Sequence, residues 1–347
     1  MTDDKLLMTG WKPFFQQQVA ARGSVAVKVA RVSSHHGTRV LLLGEDGEFS
    51  IPVQSAEAVG GIAVGDWLVL DANADLALQR LERQTVLLRK ASGEEVKPQV
   101  IAANIDTLFI TTSCNEEFNL SSIERYLALA LEAGIRPVVV LTKADLCDAA
   151  DEYRRQTEQL HPGLVVESLD ARDPEQATRL RAWCGPGQSV TLLGSSGVGK
   201  STLANALGAG DLATGSIRDA DGKGRHTTTA RSLHLLPSGG VLVDNPGVRE
   251  CQLPDCEHGL KELFDDVIQI AQRCRFRNCS HEGDAGCAIG LALESGELDE
   301  RRLANCEKLN AEQALNSRSL AERHDRKPTT GRMSKSSIAG KRRRRRK

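Results

Sequence analysis

The stretch "GSSGVGKS", residues 194–201, satisfies the pattern G-x-x-x-x-G-K-S/T and sits between an apolar run, "SVTLL", and a helix-forming run, "STLANAL". Phosphate binding needs that context. Glycines let backbone N–H groups approach the phosphates, and the following helix N-terminus adds favourable partial positive charge. The chain is therefore expected to build strand, loop and helix of a parallel α/β sheet here. Gly194, Ser195, Ser196, Gly197, Val198 and Gly199 are expected to wrap the phosphates, with Thr202 in the first helical turn. Lys200 is expected to bridge the β- and γ-phosphates and Ser201 to hold Mg²⁺.

Two further stretches fit a nucleotide site. In "VLVDNPG", Asp244 follows a strand, where a carboxylate can hold Mg²⁺, and Gly247 offers a backbone amide to the γ-phosphate. In "TKAD", Asp145 can accept from the N1–H and 2-amino group of guanine, which adenine cannot offer; Lys143 would lay its stem on the base and Thr142 would fix the loop. The usual guanine motif begins with Asn, so Thr142 is a departure, and an ordinary strand-ending Asp is the plain alternative. "ESLD" can supply a second base loop through Ser168. "TKAD" lies about fifty residues before the phosphate loop, the reverse of the usual order. A circular permutation explains that order, because the termini of compact domains lie close and can be rejoined without breaking the sheet.

The rest of the chain has three other textures. Residues 1–22 show no sustained period and read as an arm; 23–92 carry short β-branched runs split by turns, as in a small barrel such as an OB-fold. Only Phe49 and Trp67 are aromatic there, so nucleic-acid contact would be to backbone, and a structural cap is the alternative. Residues 93–252 alternate buried strands with helices, which indicates a doubly wound parallel sheet. Residues 253–316 are helical with a cysteine-rich knot, and 317–347 read as a disordered tail ending "KRRRRRK". That tail holds thirteen Lys and Arg against two acids, leaving 32 basic against 44 acidic residues upstream. No apolar run approaches membrane-spanning length and the start lacks a leader pattern, so a cytoplasmic protein without a membrane partner is expected. Nothing demands a dimer, and a monomer is expected.

The nine cysteines argue for reduced thiols or a metal site over a disulfide framework. Cys274, Cys279, His281 and Cys287 follow C-x4-C-x-H-x5-C, a set that completes a tetrahedral structural Zn²⁺ site with no open position. Redox or core thiols are the alternative. Arg273, Arg275 and Arg277 alternate through the knot, as an RNA-facing loop or a solvated face would. Between the phosphate loop and Asp244, "DGKGRHTTTA" fits a switch loop whose Thr227 or Thr228 meets Mg²⁺. After Gly247, where many GTPases place a water-orienting Gln, stands Val248. His226 is the best local substitute; an RNA contact is its other reading.

From about Ser24 to Asn310 the chain resembles the RsgA (YjeQ-type) GTPases of small ribosomal subunit maturation, through "GDWL", "QVIAANID", "IERYL", "VLTKADL", "GSSGVGKST", "GRHTTT", "DNPG" and the knot, in that order. The resemblance implies an N-terminal OB-fold, a circularly permuted P-loop GTPase domain and a C-terminal helical zinc-binding domain. It also implies hydrolysis of GTP to GDP stimulated by the small subunit, with the subunit and its rRNA as partners, and supports His226 as the water-orienting residue. Thr142 and the long arginine-rich end depart from the family pattern.

Overall fold

The computed structural model describes residues 2–23, 27–90, 98–210, 212, 231–245 and 253–326. Its elements, in chain order, begin with α1 (Thr2–Leu7) and α2 (Pro13–Ala20), then β1 (Lys28–His36), β2 (Arg39–Gly44), β3 (Gly47–Pro52), α3 (Val53–Glu57), β4 (Trp67–Leu70) and β5 (Ala77–Arg80). There follow β6 (Val86–Lys90), β7 (Pro98–Ala103), β8 (Thr107–Ser113), α4 (Leu120–Glu132), β9 (Arg136–Thr142), α5 (Ala150–Glu158), β10 (Val165–Ser168) and α6 (Pro174–Ala177). The remainder are β11 (Ser189–Leu193), α7 (Lys200–Ala206), β12 (Ser232–Leu235), β13 (Val241–Asp244), α8 (Glu257–Leu263), α9 (Asp265–Gln272), α10 (Ala288–Ser295) and α11 (Glu300–Arg326).

Strands β10, β9, β8, β11 and β13 run parallel in that spatial order, with β12 antiparallel to β13. All seven residues of β8 and all five of β11 are buried, as continuous apolar runs covered on both faces must be. In chain order β8, β9 and β10 precede β11, so the half carrying "TKAD" is built before the half carrying the phosphate loop.

In the N-terminal region, β1 pairs with β2 and β4, β2 with β3, and β4 with β5, all antiparallel; α3 falls between β3 and β4, as in an OB-fold. Ala30, Val32, Leu42, Ile51, Leu68 and Ala77 bring all five strands to one core, joined by Ala56 of α3. Trp67 is fully buried and packs edge-on against Trp11 of the arm, so it offers no base-stacking face. The arm forms helices docked on this region through Trp11 and Phe15.

Strand β1 also joins the main sheet, with Ser34 opposite Ser232 on β12. Arg31, on the same strand, is fully buried and donates to the carbonyls of Thr9, Gly65 and Asn104 and to Ser189 Oγ, at 2.7–3.1 Å. Burial lowers its pKa to about 10. Its hydrogen bonds tie arm, barrel and nucleotide sheet together.

The C-terminal helices clamp onto α4 through two residues of "IERYL". Glu124, fully buried, accepts from Arg301, Arg302 and Asn305, and Arg302 also reaches Asp266 at 2.7 Å. Arg125 makes a two-point pair with Glu312 at 2.7 and 2.8 Å. Removing one partner of a buried ion network strands the others and typically costs about 3–5 kcal/mol. Glu124→Ala is accordingly expected to lower the unfolding free energy from urea titration by that amount, whereas an unchanged midpoint and slope would mean the clamp contributes nothing. Helix α11 continues to Arg326, ten residues past the boundary read at 316, because "SRSLAERHDR" contains neither Gly nor Pro before Pro328.

Candidate nucleotide site and metal cluster

The carboxyl ends of β8, β9, β10, β11 and β13 converge on one rim, where open α/β sheets bind ligands. The phosphate loop leaves β11 at Gly194, whose φ is +154°; a Cβ there would run into the Thr111 carbonyl of β8. Ser195, Ser196 and Gly197 are exposed on the rim, Val198 is buried beneath them, and Gly199, with φ +95°, turns the chain into α7. Lys200, Ser201 and Thr202 form the first turn of α7. The Lys200 ammonium donates to the carbonyls of Gly194 and Ser195 at 2.8 and 2.6 Å, bracing the loop from within.

Thr142 ends β9 and is fully buried. Its hydroxyl donates to Val198 O at 2.6 Å, with Thr112 O at 3.2 Å. It therefore links the end of β9 to the phosphate loop. The Thr142 hydroxyl is thus engaged within the protein. Lys143 takes a left-handed conformation, φ +56°, that swings the next residues outward, and Asp145 is exposed. Ser168 closes β10 beside them; Leu169 N donates to Leu141 O at 2.9 Å, and the Ser168 hydroxyl is buried without a partner among the described residues.

One neighbour of Asp145 escaped sequence reading. Arg172 Nη2 donates to Asp145 Oδ2 at 2.7 Å while its Nε holds Asp170 at 3.0 Å. Nothing in "LDARD" marks its arginine for that contact; folding of the loop after β10 creates it. The guanidinium thus bridges the carboxylates of the two loops that follow β9 and β10.

Asp244 ends β13, half-buried, and burial raises its pKa from the ordinary carboxylate value, opposed by the charges of His234 and Lys200. A desolvated carboxylate at a strand end is a hard oxygen donor of the kind Mg²⁺ takes, and Ser201 in the first turn of α7 offers a second oxygen on the same rim. Asn245 is buried and donates to Thr191 Oγ1 at 2.8 Å, which fixes the residue after Asp244 against β11. His226, Thr227, Thr228, Gly247 and Val248 lie outside the described residues.

The knot gathers Cys274, Cys279, His281 and Cys287 so that their ligand atoms all lie within 4.8 Å of one another. His281 adopts φ +64° to turn inward. Its Nδ1 stands 3.7 Å from Cys274 Sγ and 3.5 Å from Cys287 Sγ. A tetrahedral ion with bonds of about 2.3 Å to sulfur and 2.0–2.1 Å to nitrogen requires edges of about 3.5 Å, so the cluster is sized for a metal. Backbone N–H groups of Ala288 and Gly290, in the first turn of α10, point at Cys274 and Cys287 sulfurs at 3.3 Å, as partners of metal-bound thiolates do. All eight cysteines among the described residues are free thiols.

Fold and site together define a P-loop nucleotide-binding protein whose base-reading half precedes its phosphate-reading half. The family described as RsgA GTPase matches residues 80–254. "Small ribosomal subunit biogenesis GTPase RsgA 2" of Vibrio parahaemolyticus is 47% identical over 344 residues, covering 99% of this chain and 95% of the relative. "Small ribosomal subunit biogenesis GTPase RsgA" of Mesorhizobium japonicum is 46% identical over 312 residues, 88% of this chain and 89% of the relative. The crystal structure of YjeQ from Thermotoga maritima aligns with a TM-score of 0.60 at 24% identity, covering 83% of this chain and 99% of that one. That of YloQ, described as a circularly permuted GTPase, aligns with a TM-score of 0.59 at 22% identity, covering 83% and 95%. The chain belongs to the RsgA GTPase family, and it is a GTP hydrolase.

Proposed function

We propose that this protein hydrolyses GTP to GDP and phosphate in late maturation of the small ribosomal subunit, binding the subunit and its rRNA as a monomer in the cytoplasm. The observation that carries this reading is the meeting of the phosphate loop with the base loop through Thr142 and Val198, in a chain 46–47% identical to relatives named for small-subunit biogenesis. Among the described residues no helix is long and apolar enough to cross a membrane.

In this reading the backbone of residues 194–199 wraps the phosphates and Lys200 turns from the loop carbonyls to the β- and γ-phosphates, with Thr202 beside them. Gly247 meets the γ-phosphate. Asp145 reads the guanine edge, Lys143 flanks the base and Ser168 lines its loop. Ser201, Thr228 and Asp244 hold Mg²⁺, which supplies charge neutralisation between the phosphates. His226 orients the attacking water, so the chemistry rests on positioning and electrostatics without a covalent step. The knot holds Zn²⁺ as a structural ion, and the tail beyond 317 adds non-specific affinity for rRNA through its cations.

Asp145→Asn should weaken GTP binding by up to a few kcal/mol and shift preference toward xanthosine triphosphate, because the amide donates where the carboxylate only accepts. Competition of labelled GTP by the two nucleotides measures this, and an unchanged preference removes Asp145 from the base site. Co-sedimentation with purified small subunits tests the partner. Binding should be strong with a non-hydrolysable GTP analogue and weak with GDP, and equal absence of binding in both would contradict the reading.

A further inference from the structure

Beside the nucleotide rim, where the barrel meets the main sheet, lies a cleft of about 660 Å³. His35 of β1, Arg83, Arg89 of β6, Gln99 of β7 and Arg231 line it. Arg83 is neutralised by a two-point pair with Asp66 at 2.6 and 2.7 Å. The other two arginines are not. Arg89 Nε donates to the amide oxygen of Gln99 at 2.9 Å, and Arg231 Nη1 to the carbonyl of Val100 at 2.8 Å. Among the described residues neither has a carboxylate within ion-pair distance. Burial, and then the facing charge of Arg89, lowers the pKa of Arg231. His35 Nε2 is shielded from solvent and has no hydrogen-bond partner among the described residues.

Like charges held together in a half-buried cleft repel one another and give up hydration, so an anion shared between them would be stabilised by both. Guanidinium forks match phosphate oxygens, and the cleft is open rather than a closed pocket, which favours a chain of phosphates over a small free anion. With no exposed aromatic side chain lining it, the cleft has nothing on which to stack a base. We propose that this cleft docks the phosphodiester backbone of small-subunit rRNA, with Arg89 and Arg231 as its phosphate ligands and His35 as a further hydrogen-bonding group. Arg231 immediately precedes Ser232, which pairs with Ser34 of β1 on one side and with Asp244 on the other. Docked RNA thus stands one ladder position from the carboxylate of the nucleotide site.

The inference rests on the small-subunit reading and has its own test. Binding to purified small subunits and to protein-free small-subunit rRNA is measured from 50 to 300 mM KCl for the wild type, Arg89→Gln, the Arg89→Gln/Arg231→Gln double variant and its double Lys counterpart. Each lost phosphate contact lowers the slope of log K against log salt by about one, so the double Gln variant should lose about two. Extrapolated from 1 M salt, that corresponds to about 60-fold in affinity at 0.1 M. The double Lys variant should keep most of the slope, and Arg89→Gln, which removes one half-buried guanidinium, should lose about one. A wild-type slope and affinity in Arg89→Gln and in the double Gln variant would overturn the proposal while leaving the small-subunit reading standing. Weakening on subunits but not on protein-free rRNA would reassign the cleft to an acidic protein surface and overturn it too. A wild type that binds neither subunits nor rRNA would sink both.

Discussion

Cys279→Ser is expected to abolish zinc binding and loosen the knot while leaving GTP affinity within about twofold of wild type. Structural zinc contributes apparent folding free energies of about 10–16 kcal/mol in small zinc-binding peptides, so loss of one ligand from a closed four-ligand set is felt as local unfolding. The damage should stay local for a reason visible in the packing. Helices α8 and α11 are held to α4 by Glu124, Arg125 and Gly259, independently of the cluster, whereas α10 begins at Cys287 and depends on it. Elemental analysis should find one zinc per wild-type chain and none in the variant, and limited proteolysis should cut first between residues 274 and 300. Wild-type protein purified without chelators and free of zinc would refute the site; loss of GTP binding in the variant would refute its separateness from the nucleotide sheet.

His226→Ala should lower subunit-stimulated turnover by about 10²–10⁴-fold, the usual contribution of a positioned polar group to proton or water management. At 1.36 kcal/mol per decade this is about 3–5 kcal/mol of barrier. The assignment depends on Val248, which cannot hydrogen-bond water where many GTPases carry a Gln, and on a histidine in the segment between the phosphate loop and Asp244. GTP affinity should remain near wild type, since a group acting only in the transition state leaves ground-state binding alone. Single-turnover hydrolysis at saturating subunit isolates the chemical step. An unaltered rate there, combined with weakened subunit binding, would make His226 an RNA contact.

The features legible in the sequence are those whose chemistry is fixed by neighbours in the chain. The phosphate loop needs glycines at fixed spacing; the structure shows the cause at Gly194, where no Cβ fits under Thr111. The knot was legible because metal ligands repeat at short intervals. The reversed order of "TKAD" and "GSSGVGKS" was legible because order is a property of sequence alone, and the parallel strands carry it directly.

Long-range partners were not legible. Glu124 and Arg302 are far apart in the chain, and "IERYL" gives no sign that its Glu will be buried under three donors. The arm lacks a helical period because its helices are short and bury a few aromatic residues on Trp67 rather than a continuous stripe. Strand β1 reads as a barrel strand only, and its pairing with β12 at Ser34, next to the register shift between Val32 and Ser34 in its ladder with β2, has no mark in the sequence. The same fold-dependent logic hid Arg172 behind Asp145 and assembled Arg89 and Arg231 from segments that share no motif.

Acceleration of hydrolysis at this site by the small subunit is the most direct consequence of the proposed function. Phosphate release from GTP should be measured at fixed protein with and without purified small subunits, with large subunits and ATP as controls. The expected result is slow intrinsic release, strong acceleration by small subunits alone, no turnover of ATP, and loss of the acceleration in Lys200→Ala. Tight subunit binding with no gain in phosphate release would contradict it, leaving a nucleotide-gated RNA-binding scaffold in place of an enzyme.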